Sequence, residues 1–138
     1  MREIIKILIK ECDKGEPVTL EQIRRFETEH KLQLPLYYIS FLQEVNGLTG
    51  FICESYVNLW ALQELHSNNV GYEALEYAPN IVLIGSDGGG NAYGIDFDSD
   101  YAIVELPFVG MSRENAEIIA DSIESLIEFL AAKTYDDG

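Results

Sequence analysis

A β-hairpin is predicted by the stretch Ile81-Val-Leu-Ile-Gly-Ser-Asp-Gly-Gly-Gly-Asn-Ala-Tyr-Gly-Ile-Asp96. Its first four residues form a wholly apolar run, which is typical of a central strand. The glycine-rich cluster that follows is turn-forming, and beyond it Tyr93, Ile95 and Phe97 alternate with small or polar residues. Because Tyr101 to Leu106 shows a third strand pattern, the whole segment is predicted to be an antiparallel meander.

Helices are predicted before the meander from apolar residues at helical spacing. The first covers the opening dozen residues and ends near Lys14-Gly15, and the second runs from the capping pair Thr19 and Gln22 to about His30. A third begins at Pro35 and is stopped by Asn46-Gly47. One or two short strands are predicted around Glu54-Ser55, followed by a short helix from Leu62 to Asn69.

A long C-terminal helix is predicted after the meander, with Ser112 as its N-cap. Its apolar face comprises Ala116, Ile119, Ala120, Ile123, Leu126, Ile127 and Leu130. This helix should cover one side of the sheet, and residues 135–138 should form a frayed tail. The predicted fold is therefore a single α+β domain over residues 1–138, in which N-terminal helices and a long C-terminal helix flank a mainly antiparallel sheet.

The charge distribution is uneven. The chain has 9 Lys and Arg against 24 Asp and Glu, for a formal net charge of −15. No Lys or Arg occurs between Lys31 and Arg113, yet this cation gap contains ten carboxylates: Glu44, Glu54, Glu64, Glu73, Glu76, Asp87, Asp96, Asp98, Asp100 and Glu105. DNA, RNA and anionic membranes are disfavoured as direct partners because binding phosphates needs clustered bases.

The sequence also indicates a compartment. The N-terminal segment is interrupted by charges and lacks the unbroken apolar core of a signal peptide, and no transmembrane run is present. The two cysteines, Cys12 and Cys53, have neither metal-ligand spacing nor a CxxC pattern, so free thiols are expected. A cytoplasmic location is predicted.

Two short motifs invite a ligand-binding interpretation. Ser86 to Asn91 resembles a phosphate loop, but a strand rather than a helix is predicted after it, which favours a structural hairpin. Asp96-Phe-Asp98-Ser-Asp100 resembles the start of a calcium loop. Tyr101 at its sixth position and Pro107 at its twelfth exclude an EF-hand, so no metal or cofactor is expected.

Catalysis is not expected either. The only histidines are His30 and His66, and neither lies in a sequence context typical of nucleophilic catalysis. Paired carboxylates could support acid–base chemistry, but their spacing in sequence does not establish that they converge in space.

Recognition of a basic protein is the interpretation that the cation gap favours. The gap includes Tyr56, Tyr72, Tyr77, Tyr93 and Tyr101, and tyrosine beside carboxylates suits the docking of Arg and Lys through charge, hydrogen bonds and cation–π contact. The residues predicted to contact a partner are Glu54, Tyr56, Glu73, Glu76, Asp87, Asp98, Asp100, Tyr101 and Glu105.

Two segments resemble known signatures. Leu34-Pro-Leu-Tyr-Tyr-Ile-Ser-Phe-Leu-Gln-Glu-Val-Asn-Gly47 is similar to the first signature of the SUKH superfamily, and Ile84 to Asn91 followed by Gly94-Ile-Asp96 is similar to the second. That superfamily includes the yeast Smi/Knr cell-wall regulators and many bacterial immunity proteins. The positions that match are Leu34, Pro35, Asn46, Gly47, Gly85, Asp87, Gly89, Gly90 and Asp96, which we interpret as residues that build the scaffold.

The resemblance implies an α+β fold and a non-enzymatic immunity protein, which binds and neutralises a toxin domain, often a nuclease. The cation gap independently suggests a basic toxin domain, because an acidic protein can occupy a phosphate-binding cleft. The alternatives are a general interaction or regulatory module of the Smi/Knr type, and a small acidic enzyme that uses a metal or ligand at Asp87, Asp96, Asp98 and Asp100. The sequence leaves open the oligomeric state, the docking face, the identity and chemistry of the toxin, and whether the acidic turns bind an ion.

Overall fold

The computed structural model describes residues 1–135, so the last three residues of the predicted tail lie outside the described part. The helices are α1 (Glu3–Leu8), α2 (Leu20–His30), α3 (Leu36–Leu42), α4 (Leu62–Gly71), α5 (Ala74–Tyr77) and α6 (Ile123–Ala132). The strands are β1 (Asp13–Lys14), β2 (Leu48–Ile52), β3 (Ser55–Leu59), β4 (Ile81–Ser86), β5 (Asn91–Asp96), β6 (Ala102–Pro107) and β7 (Glu117–Ala120). Every helix in the described residues 1–135 is too short or too polar to span a lipid bilayer.

All seven strands form one antiparallel sheet in sequence order, which confirms the predicted α+β class and the meander. Cross-strand partners share a face of a sheet. One face presents buried side chains from β2, β3, β5 and β6, and α6 packs on it at β2 with α1 and α3 against α6. Ser55 at the start of β3 donates its hydroxyl to the Leu130 carbonyl of α6 at 2.8 Å.

The strand β4 is paired with β3 along only part of its length. The β3–β4 register contains two pairs, Asn58 with Ser86 and Leu59 with Gly85, because α4 and α5 are inserted between these strands. Farther down the same edge, the Asn69 side chain of α4 accepts from the Leu83 N–H at 2.8 Å and donates to the Leu83 carbonyl at 2.9 Å. A helix side chain therefore supplies the hydrogen bonds that a neighbouring strand would otherwise supply.

The predicted extent of the first helix is wrong. Helix α1 ends at Leu8, and Asp13–Lys14 form a short edge strand paired with Leu48 and Thr49. Helical spacing of the apolar residues continues past Leu8, but pairing with β2 supplies backbone partners that the isolated sequence does not reveal.

The prediction of one long helix from Ser112 is also wrong. Glu117–Ala120 form β7, which pairs with β6, and α6 begins only at Ile123. The actual N-cap is Ser122, which accepts from the Ser125 N–H at 3.1 Å. Spacing of Ala116, Ile119 and Ala120 matches a helix, but the free edge of β6 makes a strand the better state for these residues.

The first signature segment is confirmed as a helix, with a change at each end. Pro35 is the N-cap of α3 rather than its first residue, and the helix ends at Leu42, before Asn46-Gly47. Asn46 instead caps the next helix, because its Oδ1 accepts from the Leu62 N–H at 2.7 Å and its amide donates to Gln63 at 2.8 Å. The capping box of Thr19 and Gln22 on α2 is present as predicted.

Replacement of Asn69 by alanine should destabilise the fold. The change removes both partners of the Leu83 backbone groups, so we expect a loss of about 2–4 kcal/mol in the free energy of unfolding, measured by urea denaturation. Asn68→Ala, on the same helix, is the matched control, since no side-chain hydrogen bond of Asn68 occurs among the described residues, and its effect should stay within about 0.5 kcal/mol. Equal losses for the two variants would contradict this role of Asn69.

The second signature should tolerate alanine at one glycine and not at another. A Cβ at Gly85 would lie 2.9 Å from the Leu59 Cα and closer still to the Asn58 carbonyl, whereas a Cβ at Gly90 meets nothing within 4 Å. Gly85→Ala should therefore lower the midpoint of thermal unfolding and the free energy of unfolding by about 1–3 kcal/mol. Gly90→Ala should leave both nearly unchanged. A larger loss for Gly90→Ala than for Gly85→Ala would show that the close approach of β3 and β4 is not what requires glycine here.

Candidate functional site

The nine residues predicted to contact a partner fall into two groups at opposite ends of the sheet. The first, called here the glycine-loop end, comprises Glu54, Tyr56, Asp87 and Glu105, which lie in or beside the β2–β3 turn, the β4–β5 turn and the end of β6. The second, called the aspartate-turn end, comprises Glu73, Glu76, Asp98, Asp100 and Tyr101, which lie in the β5–β6 turn and around α5. Strands of six residues separate the two ends, a distance of about 17–20 Å.

Aromatic side chains and a glycine turn form the glycine-loop end. The rings of Phe51 and Tyr56 meet edge to face with centroids 5.4 Å apart, and Phe51 is 62% exposed. Gly88, with φ of +80°, lies against the Tyr56 ring, where a Cβ would be 3.1 Å from the ring. Asp87 fixes the turn, because its carboxylate accepts from the Gly89 N–H at 2.8 Å and from both nitrogens of Asn91 at 3.2 Å.

Burial and charges of both signs set the electrostatics of this end. Burial raises the pKa of Glu105, the cation of Lys133 at 3.9 Å lowers it, and the nearby carboxylates of Asp87 and Glu117 raise it again, so that the pKa lies above its ordinary value. Burial, followed by the charges of Glu105 and Asp87, likewise raises the pKa of Tyr93. Burial is therefore the largest cause of both raised pKa values, and Lys133 acts on Glu105 more strongly than either neighbouring carboxylate.

The aspartate-turn end has an internal cation. Asp96 is buried, and its carboxylate accepts two bonds from Arg113 at 2.9 and 2.8 Å, one from the Asp98 N–H at 3.0 Å and one from Ser99 at 3.0 Å. Burial alone would raise the pKa of Asp96, but these four hydrogen bonds outweigh it and hold the pKa below its ordinary value. Asp98 lies 3.9 Å from the same arginine and accepts from Asn80 at 3.0 Å.

Sequence reasoning missed Arg113. This arginine also donates to the Pro79 carbonyl at 2.8 Å, so it connects the start of β4, the end of β5 and the segment before β7. It is the first base after the cation gap, which is the only signal that the sequence offered. No spacing rule links positions 96 and 113, because their contact depends on how the β6–β7 connection crosses the sheet.

Among the described residues, most carboxylates of the cation gap have no ionic partner. Four of the ten lie within 4 Å of a cation: Glu44 beside the N-terminal amine, Asp96 and Asp98 beside Arg113, and Glu105 beside Lys133. In residues 1–135 the other six have no such contact. Arg2 of the opening segment pairs with Glu124 and Glu128 of α6, which lie outside the gap.

The matching signature residues have structural contacts. The buried Leu34 donates its N–H to the buried Glu27 at 2.7 Å, and Gly47 has a φ of +99° that disfavours a side chain. Gly89 and Gly90 are exposed in the β4–β5 turn, and β5 follows them directly, so the element after this loop is a strand and not a helix.

Metal-ligand geometry is absent from the described residues, where no three His, Cys, Asp or Glu side chains are grouped to hold an ion. Both cysteines are free thiols.

Removal of Arg113 should destabilise the protein in a pH-dependent way. Because the folded-state pKa of Asp96 is lowered, the stability that it contributes is present above the ordinary aspartate pKa of about 4 and is lost as the pH falls through the folded-state value. Arg113→Met should cost about 2–3 kcal/mol at pH 7, and the difference from the wild type in urea unfolding should shrink below about pH 4. Arg25→Met, which breaks only the exposed pair with Glu21, should cost no more than about 0.5 kcal/mol. A loss that is independent of pH would contradict the ion-pair explanation.

The comparison of this chain with known protein families agrees with the fold described above. No curated protein matches the chain. The family model of the SMI1 / KNR4 family (SUKH-1) matches residues 17–129, a range that runs from before α2 into α6 and includes both signature segments. The chain therefore belongs to the SMI1 / KNR4 family (SUKH-1).

Proposed function

We propose that this protein is a non-enzymatic immunity protein that binds and neutralises a basic toxin domain, and that this domain is a nuclease. Membership of the family supports an immunity or Smi/Knr-type binding protein. The choice of a basic partner rests on the charge of this chain, in which six carboxylates of the cation gap have no ionic partner among the described residues.

The glycine-loop end is the part of the surface best suited to such a partner. Asp87 and Glu117 lie close enough to Glu105 to raise its pKa, and neither has a cation within 4 Å among the described residues, so a cation from another protein would be attracted to them. The exposed ring of Phe51 and the neighbouring Tyr56 add apolar and cation–π contact next to these charges. Aromatic anchors beside charged groups are common at the centre of protein interfaces.

Inhibition would follow from occupation of a phosphate-binding cleft. A nuclease lines its cleft with Lys and Arg, and carboxylates placed there satisfy those charges while excluding the nucleic acid. The negative field extends over about 8–10 Å at physiological salt, so it also accelerates the encounter. No bond is made or broken on either protein in this mechanism.

The enzyme alternative is weakened by geometry. It required Asp87, Asp96, Asp98 and Asp100 to act together. Asp87 lies at the glycine-loop end, whereas Asp96 is at the other end of β5 with its carboxylate occupied by Arg113.

The location of the docking surface can be tested by reversing charges at one end only. The test variant is Glu54→Lys/Glu117→Lys, in which both substituted positions are exposed. We expect the association rate with the toxin domain encoded by the neighbouring open reading frame to fall about 10-fold or more at low salt, in stopped-flow measurements, because the steering field is reversed. The difference from the wild type should diminish as salt is raised. Growth rescue on co-expression should weaken in the same variant.

A matched control exists at the other end of the sheet. Glu73→Lys/Glu76→Lys also alters two exposed glutamates and changes the net charge equally, and it should alter the association rate less than about 3-fold. Equal effects from the two double variants would show that net charge rather than the glycine-loop end governs association. Tight binding with a rate insensitive to ionic strength would refute the electrostatic proposal altogether.

A further inference from the structure

A large groove separates α2 from α4 and α5, away from the glycine-loop end. Its volume is about 1660 Å³, and its lining includes the buried side chains of Leu65, Ala74 and Ile81. This volume exceeds the roughly 300–1,000 Å³ of small-molecule sites, so the groove is better matched to a segment of a polypeptide.

The wall formed by α4 and α5 carries exposed apolar side chains. Val70 is 61% exposed and Leu75 is 83% exposed, and both line the groove. Leu75 belongs to a helix of four residues whose other flank packs on β4, so its side chain makes little contribution to the core. The opposite wall adds Phe26 and Leu32, which are partly buried.

A strand cannot easily be added inside this groove. The edge of β4 that faces it is already closed, because Asn69 bonds both backbone groups of Leu83 and the Ala78 carbonyl accepts from the Ile81 N–H at 3.1 Å. Addition of a strand depends on free main-chain groups at a sheet edge. An occupant must therefore be recognised through its side chains, as an amphipathic helix is.

The two walls of the groove differ in charge. Glu73 and Glu76 make the α5 wall negative, whereas on the α2 wall Arg24 and Lys31 are balanced by Glu27 and Glu29, and Arg24 pairs with Glu27 at 2.7 Å. Lys31 has a left-handed backbone with φ of 54° at the C-cap of α2, and it forms no ion pair within residues 1–135. A helix with an apolar ridge and a basic flank would complement the α5 wall, and an acidic side chain on its other flank would pair with Lys31.

A second copy of this chain is a poor occupant. Two copies would bring together formal net charges of −15 each, and that long-range repulsion opposes association. A foreign segment with an excess of basic residues on one flank has no such penalty.

We propose that the groove between α2 and α4–α5 is a second docking surface, which takes an amphipathic helix of a partner protein with its basic flank on Glu73 and Glu76. The anchor on this chain is Leu75, with Val70 beside it. This surface is separate from the glycine-loop end and takes a protein other than the toxin domain, so the inference holds whether or not the toxin proposal does.

The test uses an alanine-based helical peptide of about 16 residues with leucines at i, i+4, i+7 and i+11, arginines on one flank and glutamates on the other. Titration into the isotopically labelled full chain should shift the amide resonances of groove residues with saturable, submillimolar affinity. Leu75→Asp should weaken binding about 10-fold or more. Val109→Asp, at a side chain that is 91% exposed and outside the groove, should change the affinity less than 2-fold.

Two further peptides test the chemistry of the occupant. Replacement of the arginines by glutamine, or of the leucines by alanine, should each weaken binding by several-fold. The inference is overturned by absence of saturable binding, by shifts centred outside the groove, by equal effects of Leu75→Asp and Val109→Asp, or by unchanged affinity of either altered peptide. Any of these results leaves the charge-reversal test at the glycine-loop end unaffected, so the two proposals fail independently.

Discussion

The hydrogen-bonding requirement of β4 shapes much of this molecule. This strand lies at the centre of the sheet, yet β3 pairs with it only at Gly85 and Ser86. A buried N–H or carbonyl without a partner costs about 1–3 kcal/mol, so the remaining edge has to be closed by another element. Asn69 closes it from α4, and this contact fixes α4 and α5 beside the sheet and opens the groove between them and α2.

The same requirement, that a buried polar group must have a hydrogen-bond or ionic partner, divides the acidic residues by role. At the aspartate turn, the buried Asp96 is matched by Arg113, and the carboxylate therefore serves the scaffold. At the glycine-loop end, the exposed Glu54 and Glu117 have no cation within 4 Å among the described residues, whereas the half-buried Glu105 has Lys133 at 3.9 Å. An unneutralised charge at the surface costs little in water and is free to act on a partner. Burial thus separates carboxylates that build the fold from carboxylates that are suited to recognition.

Local sequence patterns predicted the elements that are stabilised locally. The capping box of Thr19 and Gln22 opens α2, and alternating residues after the glycine cluster form β5, because both patterns report contacts within a few residues. The errors lie where a distant element decides the state. Residues 117–120 have helical spacing but pair with β6, and Asn46 follows α3 yet caps α4 across 16 positions of sequence. Propensity is overridden in such places by hydrogen bonds to distant parts of the chain.

The sequence by itself determined the fold class, the family signatures and the surplus of carboxylates, since composition and short-range periodicity do not depend on how the chain closes. It did not determine which carboxylates are neighbours. Only the tertiary structure separated the nine predicted contact residues into two groups at opposite ends of the sheet, brought Arg113 to Asp96 and placed α5 opposite α2 to form a groove. The physical reason is that the strength of an interaction between charges or between apolar side chains depends on the distance between them in space. That distance is set by strand register and helix packing rather than by position in the chain.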